Sequence, residues 1–384
     1  MRLLKHTPNI DFIGKRKPAL FISSLLNLVV LVGIGLGGLN FGVDFAGGTV
    51  VELKFKQPID AQKVRERAER GGLAHVQVQQ IGPADENSYL LKLGGVTQLT
   101  QESAVKAETA IRGLGPVRSY ASDLENGLVN FRSEGKLDPA AVKAAVESSG
   151  TGVNEVRSLG EAQGGGFDYQ VVASGMADAV NAAMMKDRAE ADFWQQRVDY
   201  VGPQVGKQLR NQGVMALLYA MLAILVYVAF RFDFKFGPGA LLAMLHDVIM
   251  TCGYFLVTQR EFNLTSIAVL LTVTGYSIND TIVVYDRIRE TMHRLKGKSL
   301  PEIINVAVNE TLARTILTSG VTALSLVGLL IFGVGEIFDF AAAMLVGIVV
   351  GTYSSVYIAS PLIIWMDERS AAKAKTQAMN PRVA

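Results

Sequence analysis

Side chains that build disulfides and metal sites are scarce in this 384-residue sequence, which has one cysteine and four histidines. Cys252 lies inside an apolar run and has no partner within the chain for a disulfide. The histidines are scattered, whereas a structural zinc site needs closely spaced cysteine and histidine ligands. A disulfide scaffold and a structural zinc site are therefore excluded.

Charge is also scarce, and its two signs are balanced. Charged residues make up 19% of the chain, against roughly 25% in an ordinary soluble domain. The 37 basic and 35 acidic residues give a net charge of +2, which creates no field to recruit nucleic acid. Hydrophobic residues reach 49% and the mean hydropathy is +0.28, so the composition indicates an integral membrane protein rather than a disordered chain.

Motifs that carry common enzyme chemistry are absent from the sequence. It contains no P-loop, no HExxH and no recognisable Ser/His/Asp arrangement. The glycines at 33, 35, 37 and 38 do not follow a strand or open a helix, as a nucleotide-binding fingerprint requires. We expect neither an enzymatic role nor a metal, nucleotide or organic cofactor.

Long apolar runs are abundant, and six of them approach the roughly 20 residues that a membrane-spanning helix needs. The sequence therefore predicts a bundle of six transmembrane helices with one large segment outside the membrane. The predicted spans are residues 19–39, 214–230, 238–257, 264–285, 314–334 and 340–366.

Basic residues predict the orientation, because they accumulate in the cytoplasmic segments of membrane proteins. They are concentrated in residues 1–18 and in a predicted loop, 286–313, and the tail 367–384 falls on the same side of the membrane. Both termini are thus expected in the cytoplasm. The first apolar run is too long for a cleaved signal peptide and is interpreted as a signal anchor.

The outer segment has the pattern of a small α+β domain. Its periodicity predicts the order strand, helix, strand, strand, helix, strand, which is the order of a ferredoxin-like fold. The predicted strands are 49–55, 75–81, 88–93 and 116–122, and the predicted helices are 60–70 and 98–112.

The same pattern recurs 78 residues later. Asp60, a predicted helix N-cap, corresponds to Asp138, and Gly72 at the helix end corresponds to Gly150. Shared caps and stops are what a duplicated fold would retain. We therefore expect two ferredoxin-like modules, at 40–126 and 127–206, and the alternative is one module followed by a helical hairpin.

Three ionisable residues interrupt the apolar runs, where charges are costly and usually functional. From the helix rise, Asp280, Asp247 and Arg314 lie roughly 10, 13 and 6 Å from the cytoplasmic edge. They are close enough in depth to meet, and Asn279 adjoins Asp280. Protonation of Asp280 would release Arg314 and change helix packing. There are three alternatives. The Asp280–Arg314 pair could be purely structural, and Asp247 beside His246 could cap a neighbouring helix. Arg314 could also extend its side chain to the membrane interface.

Two helical stripes complete the pattern. Hydroxyl groups recur along one face of the fifth span, beside Arg314, where they could line a hydrated path or pack against a neighbouring helix. Small residues recur every four positions in the sixth span, which permits close contact between helix backbones. The hydroxyl stripe includes Thr315, Thr318 and Thr322, and the small-residue row includes Gly347 and Gly351.

Five motifs, in order from about residue 42 to 365, resemble the SecD/SecF translocase family. The last two, at 275–281 and 309–315, are similar to its SecF branch in particular. The first motif includes Gly42, Asp44, Gly47 and Gly48; the second includes Gly202 and Pro203; the third begins with His246 and Asp247.

The resemblance implies an accessory role in Sec protein export within the larger RND superfamily. It implies a location in the bacterial cytoplasmic (inner) membrane, use of the proton-motive force, and an outer domain that meets the emerging preprotein. Asp280 and Arg314 match the positions of the family's proton-pathway aspartate and arginine. The implied partners are SecD and the SecYEG translocon, with YajC and YidC as further candidates. The outer segment is longer than the single module expected of this family.

Two other functions fit the sequence less well. Half of an RND-type small-molecule or lipid exporter would need a second chain, since such exporters carry twelve helices, and it predicts a resistance phenotype without an export defect. A passive anchor would display the outer domain without using the membrane helices. The buried ionisable residues argue against an anchor, because an anchor gains nothing from them.

Overall fold

The computed structural model describes residues 8–73, 76–81, 86–186, 192–232 and 234–379. Position 75, where a strand is predicted to begin, and the ends of both termini lie outside these ranges. The chain divides into two compact units: an outer unit, Phe41–Arg210, and a membrane unit made of Met1–Asn40 and Asn211–Ala384.

The described residues form twelve α-helices and eight strands, numbered here in chain order. The helices are α1 (Arg16–Gly35), α2 (Val43–Ala46), α3 (Ala61–Arg70), α4 (Gln101–Arg112), α5 (Pro139–Glu147), α6 (Met176–Met185), α7 (Pro203–Arg231), α8 (Gly237–Thr258), α9 (Leu264–Arg294), α10 (Leu300–Phe332), α11 (Glu336–Ser354) and α12 (Ser360–Met379). The strands are β1 (Gly48–Phe55), β2 (Gln77–Ile81), β3 (Ser88–Leu93), β4 (Val117–Asp123), β5 (Leu128–Ser133), β6 (Val153–Glu161), β7 (Phe167–Ala173) and β8 (Phe193–Val201).

Six helical stretches are long and apolar enough to cross a membrane, as predicted. Residues 286–313, which are predicted to form the cytoplasmic loop between two spans, are mostly helical, because α9 continues to Arg294 and α10 begins at Leu300. Hydropathy marks where apolar residues end, whereas a helix continues as long as its polar residues remain helix-compatible. Arg294 and Arg287 both pair with Glu310 across the short turn and join the two polar helix ends.

The sixth span is interrupted. A π-helical segment, Ser355–Ala359, separates α11 from α12. Pro361 follows it, and a proline lacks the N–H that a regular α-helix would bond four residues back. The Ser360 hydroxyl donates to the Ser355 carbonyl at 2.8 Å. Such bulges often lie near functional sites, and this one directly follows Ser354.

The small-residue row brings α11 against α9 of the same chain. A Cβ added at Gly347 would lie 2.2 Å from a methyl of Val273, and one added at Gly351 would lie 2.9 Å from the Ser277 Cβ. Neither position has room for a side chain. The row is therefore an internal helix contact.

A short N-terminal segment is fastened to α10. Ile10 exchanges two hydrogen bonds with the Asn309 amide, at 2.9 and 2.8 Å. The Asn305 amide oxygen accepts from the backbone N–H groups of Phe12 and Ile13. The side chains of Asn305 and Asn309 thus form hydrogen bonds with the backbone of residues 10–13, which form neither a helix nor a strand.

The outer unit contains two four-stranded antiparallel sheets. Their strand orders are β2-β3-β1-β8 and β4-β5-β7-β6. Each sheet has the strand order of a ferredoxin-like fold, and each packs against two helices. Helices α3 and α6 cover the first sheet, and α4 and α5 cover the second.

The duplication is present, but the two repeats exchange their last helix and strand. The first sheet takes α6 and β8 from the second repeat, and the second sheet takes α4 and β4 from the first. The predicted boundary at 126/127 therefore does not separate the sheets, and the helical-hairpin alternative is wrong. In chain order, residues from about 97 to 175 form an insertion within the elements that build the first sheet. An isolated β-bridge between Thr97 and Gly175 joins the two ends of this insertion.

One buried ion pair crosses the exchanged elements of the first sheet. Arg67 on α3 is 5% exposed and donates to Asp192 at 2.9 Å. The same guanidinium donates to the Met184 carbonyl at the end of α6. A long-range pair thus holds the exchanged helix against its neighbour.

Candidate functional site

Asp247 is completely buried in the membrane unit and is surrounded by polar groups from three helices. The hydroxyls of Ser277 and Ser354 both donate to Oδ2, the latter at 2.8 Å. Its Oδ1 lies 2.9 Å from Nδ1 of the adjacent His246. An isolated carboxylate would be very costly here, and these contacts satisfy both of its oxygens.

Asp280 is a second buried carboxylate, 3% exposed, one turn from Ser277 on α9. Its Oδ2 lies 3.5 Å from the Ser319 hydroxyl of α10. Ser319 in turn lies 2.9 Å from the Thr352 hydroxyl of α11. The two carboxylates therefore lie in one interface among α8, α9, α10 and α11. We call this set the hydroxyl cluster: Asp247, Asp280, Ser277, Ser319, Thr352 and Ser354.

Arg314 does not complete this cluster in the structure. Its side chain is exposed on α10, and within the described part of the chain it forms no ion pair with Asp280. The direct pairing expected from the sequence is not present in this structure: Asp280 faces Ser319, which lies five residues after Arg314 on α10.

Other sequence-predicted residues lie around the cluster rather than in it. Asn279 is exposed, roughly 100° around α9 from the buried Asp280. Thr318 and Thr322 donate to carbonyls of their own helix, and Tyr276 donates to the Thr322 hydroxyl at 3.2 Å. Thr315 is buried. Most of the stripe thus satisfies itself within α10, as threonines in helices commonly do.

The first two sequence motifs meet in the outer unit. Gly47 has φ +77°, and an added Cβ would lie 2.9 Å from the Pro203 Cα. Gly48, at the start of β1, pairs with Val201, and an added Cβ at Gly48 would lie 2.4 Å from the Leu93 carbonyl. Only glycine combines this conformation with so close a backbone approach. Gly42 and Gly202 precede α2 and α7, and Asp44 lies in the first turn of α2.

The hydroxyl partners were not identified from the sequence. Ser277 lies in the 275–281 motif, three residues before Asp280, and helical spacing places it on the same face. That spacing is a usable signal. Ser319, Thr352 and Ser354 carry no such signal, because their contacts depend on how α10 and α11 rotate against α9.

Comparison with known families gives two matches. Residues 32–59 match the SecD/SecF GG motif, and residues 180–369 match the C-terminal region of protein export membrane proteins SecD/SecF. The first match contains Gly47 and Gly48, and the second contains the whole hydroxyl cluster.

Curated relatives match over nearly the whole chain. The protein translocase subunit SecF of Magnetococcus marinus is 40% identical over 97% of both chains, and that of Koribacter versatilis is 37% identical over 97% of this chain and 96% of its own. The expectation that the outer segment is unusually long is therefore wrong for these relatives, since their lengths match.

A solved structure also has this fold. SecDF, a translocon-associated membrane protein from Thermus thermophilus, is 28% identical with a TM-score of 0.61. The match covers 96% of this chain but 40% of that one, so the chain spans less than half of the solved protein. A second SecDF structure, in a super-membrane-facing form, gives a TM-score of 0.60.

Proposed function

We propose that this chain, which belongs to the SecF family of protein translocase subunits, uses the proton-motive force to promote a late stage of preprotein export. It would act with a SecD partner beside the SecYEG translocon, in the bacterial inner membrane with both termini in the cytoplasm. Family membership supports an accessory role in Sec export. The hydroxyl cluster supports the proton coupling.

The observation that carries the proton proposal is the pair of buried carboxylates, whose partners among the described residues are hydroxyl groups and, for Asp247, the His246 ring, with no lysine or arginine. A serine or threonine hydroxyl can donate to a carboxylate and can rotate to accept from a carboxylic acid. The same partners therefore serve both protonation states of Asp247 and Asp280. A proton could bind or leave without stranding an unsatisfied group in the bundle.

Protonation would also change how the helices fit together. The cluster joins four helices, and loss of a negative charge at Asp280 would remove its attraction to Arg314. A charge that crosses the membrane potential is worth about 2.3 kcal/mol per 100 mV. An energy of that size is enough to shift the balance between two packings that differ by a few kcal/mol.

The exposed position of Arg314 supports a second membrane protein beside α10. A cation facing lipid within a spanning helix is costly, and partner helices commonly relieve that cost. Apolar residues of the same helix, including Val321 and Leu324, are also exposed. A SecD-type chain is the proposed neighbour, while contacts with YajC, YidC and the preprotein remain proposals from the family resemblance.

The first test is an export assay in cells that carry Asp280→Asn at normal protein levels. We expect preprotein to accumulate at a late stage, because asparagine keeps the shape but cannot exchange the proton. Thr272→Val is the control, since Thr272 is exposed on the same helix and bonds only its own backbone. Wild-type export by Asp280→Asn would contradict the proposal.

The second test locates the partner. In a Cys252→Ser background, a photo-crosslinker at Leu324 should capture a SecD-type chain. The same group at Val257 on α8, which is also strongly exposed, is the matched control. Equal capture from both positions would show that α10 has no special neighbour.

A further inference from the structure

A groove of about 560 Å³ lies in the membrane unit between α1, α8 and α11. Its walls are almost entirely apolar, and Ile22, Leu26, Met250 and Val349 contribute to them. A groove of this size is within the range of small-molecule sites. It is separate from the hydroxyl cluster, and His246 lies between the two.

Three polar side chains in the groove, those of Ser23, His246 and Tyr353, already have partners. The Ser23 hydroxyl lies 2.9 Å from the Tyr353 hydroxyl, which donates to the Ala19 carbonyl at 3.1 Å. His246 uses Nδ1 toward Asp247 and stacks on the Tyr353 ring at 6.2 Å. The groove therefore offers few hydrogen bonds to a polar ligand and favours an apolar one.

One end of the groove is cationic. Lys15, which lines it, is exposed and has no ion-pair partner among the described residues. Arg16 and Lys17 follow at once, so three basic side chains stand together where α1 begins. Such a cluster at the end of a membrane helix attracts anionic lipid headgroups.

The length of the groove fits one leaflet of a bilayer. Leu26 lies eleven residues after Lys15, which is roughly 16 Å along a helix. Half of the hydrocarbon core of a bilayer is about 15 Å thick. A chain with its charged end at Lys15 would thus extend along the apolar walls to the middle of the membrane.

We propose that this groove binds an acyl chain of one anionic phospholipid, with the headgroup phosphate at Lys15. The bound chain covers the side of His246 that faces away from Asp247. The proposal does not depend on the function proposed above, because it concerns lipid binding alone.

The test uses the full-length protein in phosphatidylcholine vesicles with a small fraction of phosphatidylglycerol that carries a diazirine in its acyl chain. After irradiation, mass spectrometry should find the label on groove residues. Ile22→Trp fills the groove and should reduce this labelling about tenfold. Leu28→Trp, on an equally exposed part of α1 outside the groove, should leave it unchanged.

A second pair of variants tests the headgroup. Lys15→Gln should lower labelling by phosphatidylglycerol about fivefold, as expected for one basic contact at the membrane surface. It should lower labelling by a diazirine phosphatidylcholine less, because the choline cation offsets the phosphate charge of that lipid. Lys17→Gln, which does not line the groove, should have a smaller effect. Ile22→Ala, which keeps the groove open, should retain the label and so excludes a folding defect as the cause.

Two outcomes would overturn the proposal. One is equal labelling of the groove and of other exposed helix faces, which would mean ordinary surrounding lipid only. The other is capture of a protein helix in native membranes by a crosslinker at Ile22, with no lipid retained by the purified chain. Loss of export without loss of lipid labelling would leave the proposal intact.

Discussion

In the outer unit the buried Arg67 meets Asp192 at 2.9 Å, whereas in the membrane unit Asp247 and Asp280 are buried with hydroxyl partners. The first arrangement fixes a charge by pairing it with its opposite. The second gives the carboxylates hydroxyl partners, with the His246 ring beside Asp247 as a titratable neighbour, so the charge of the site depends on where protons are bound. The comparison indicates that the buried ion pair of the outer unit holds secondary-structure elements together, whereas the buried carboxylates of the membrane unit can change their protonation state.

The largest expected effect concerns the exchanged sheets of the outer unit. Removal of residues 97–175 with a short replacement turn should leave the first sheet folded, because all its strands and both its helices remain. The ends of the insertion are adjacent: Met176 N–H donates to the Val96 carbonyl at 3.1 Å.

The matched deletion removes residues 127–201, the larger part of the predicted second module. It takes α6 and β8 away, so we expect the outer unit to be unfolded and rapidly degraded by trypsin. Both deletions are measured by protease resistance of the membrane-inserted protein. Equal resistance would mean that the sheets do not exchange elements.

The next effect tests the buried ion pair directly. Arg67→Met should destabilise the outer unit by about 3 kcal/mol, because it leaves Asp192 without its buried cation. Urea unfolding followed by Trp194 fluorescence in a Trp365→Phe background measures it, since these are the two tryptophans in the chain. Arg112→Met, which removes an exposed pair with Glu108, should cost less than about 1 kcal/mol. Similar losses would remove the contrast between buried and surface charge.

In the membrane unit, the close packing of α11 against α9 is expected to contribute to stability. Gly347→Ala should destabilise it by about 1–3 kcal/mol, since the added methyl overlaps Val273. Gly275→Ala on α9 meets nothing within 4 Å and should be neutral or stabilising. Thermal unfolding in detergent distinguishes the two variants. A neutral Gly347→Ala would show that α9 and α11 can separate freely.

The smallest effect is a pH dependence of the outer unit. Burial, together with the charge of Glu108, raises the pKa of Tyr120 to about 12, and its hydroxyl donates to the Ala104 carbonyl at 2.7 Å. Between pH 10 and 12 the unfolded tyrosine loses its proton while the folded one keeps it, so the free energy of unfolding should fall as pH rises. Urea unfolding at several pH values measures this slope. Tyr120→Phe should make it shallower, and an unchanged slope would contradict the assignment.

Local sequence signals predicted the elements well and their partners less well. Asp60 caps α3 by accepting from the Gln62 N–H, and β3 begins and ends at the expected residues. The 78-residue repeat could not reveal the exchange, because a helix and strand carry the same periodicity whichever sheet they join. Asp247 and Asp280 were identifiable because charge is rare in apolar helices. The same rarity singled out Arg314, but no local pattern indicates that its side chain is exposed on α10 instead of paired with Asp280.

The pairing of Gly48 with Val201 has a mechanical consequence. Gly48 begins β1 and Val201 ends β8. The chain segment that enters the outer unit before β1 and the segment that leaves it after β8, its two connections, are therefore joined to the same end of one antiparallel strand pair. Tension that separates the connections would open this pair one hydrogen bond after another, which needs little force. Tension that pulls both connections in the same direction would not separate this strand pair.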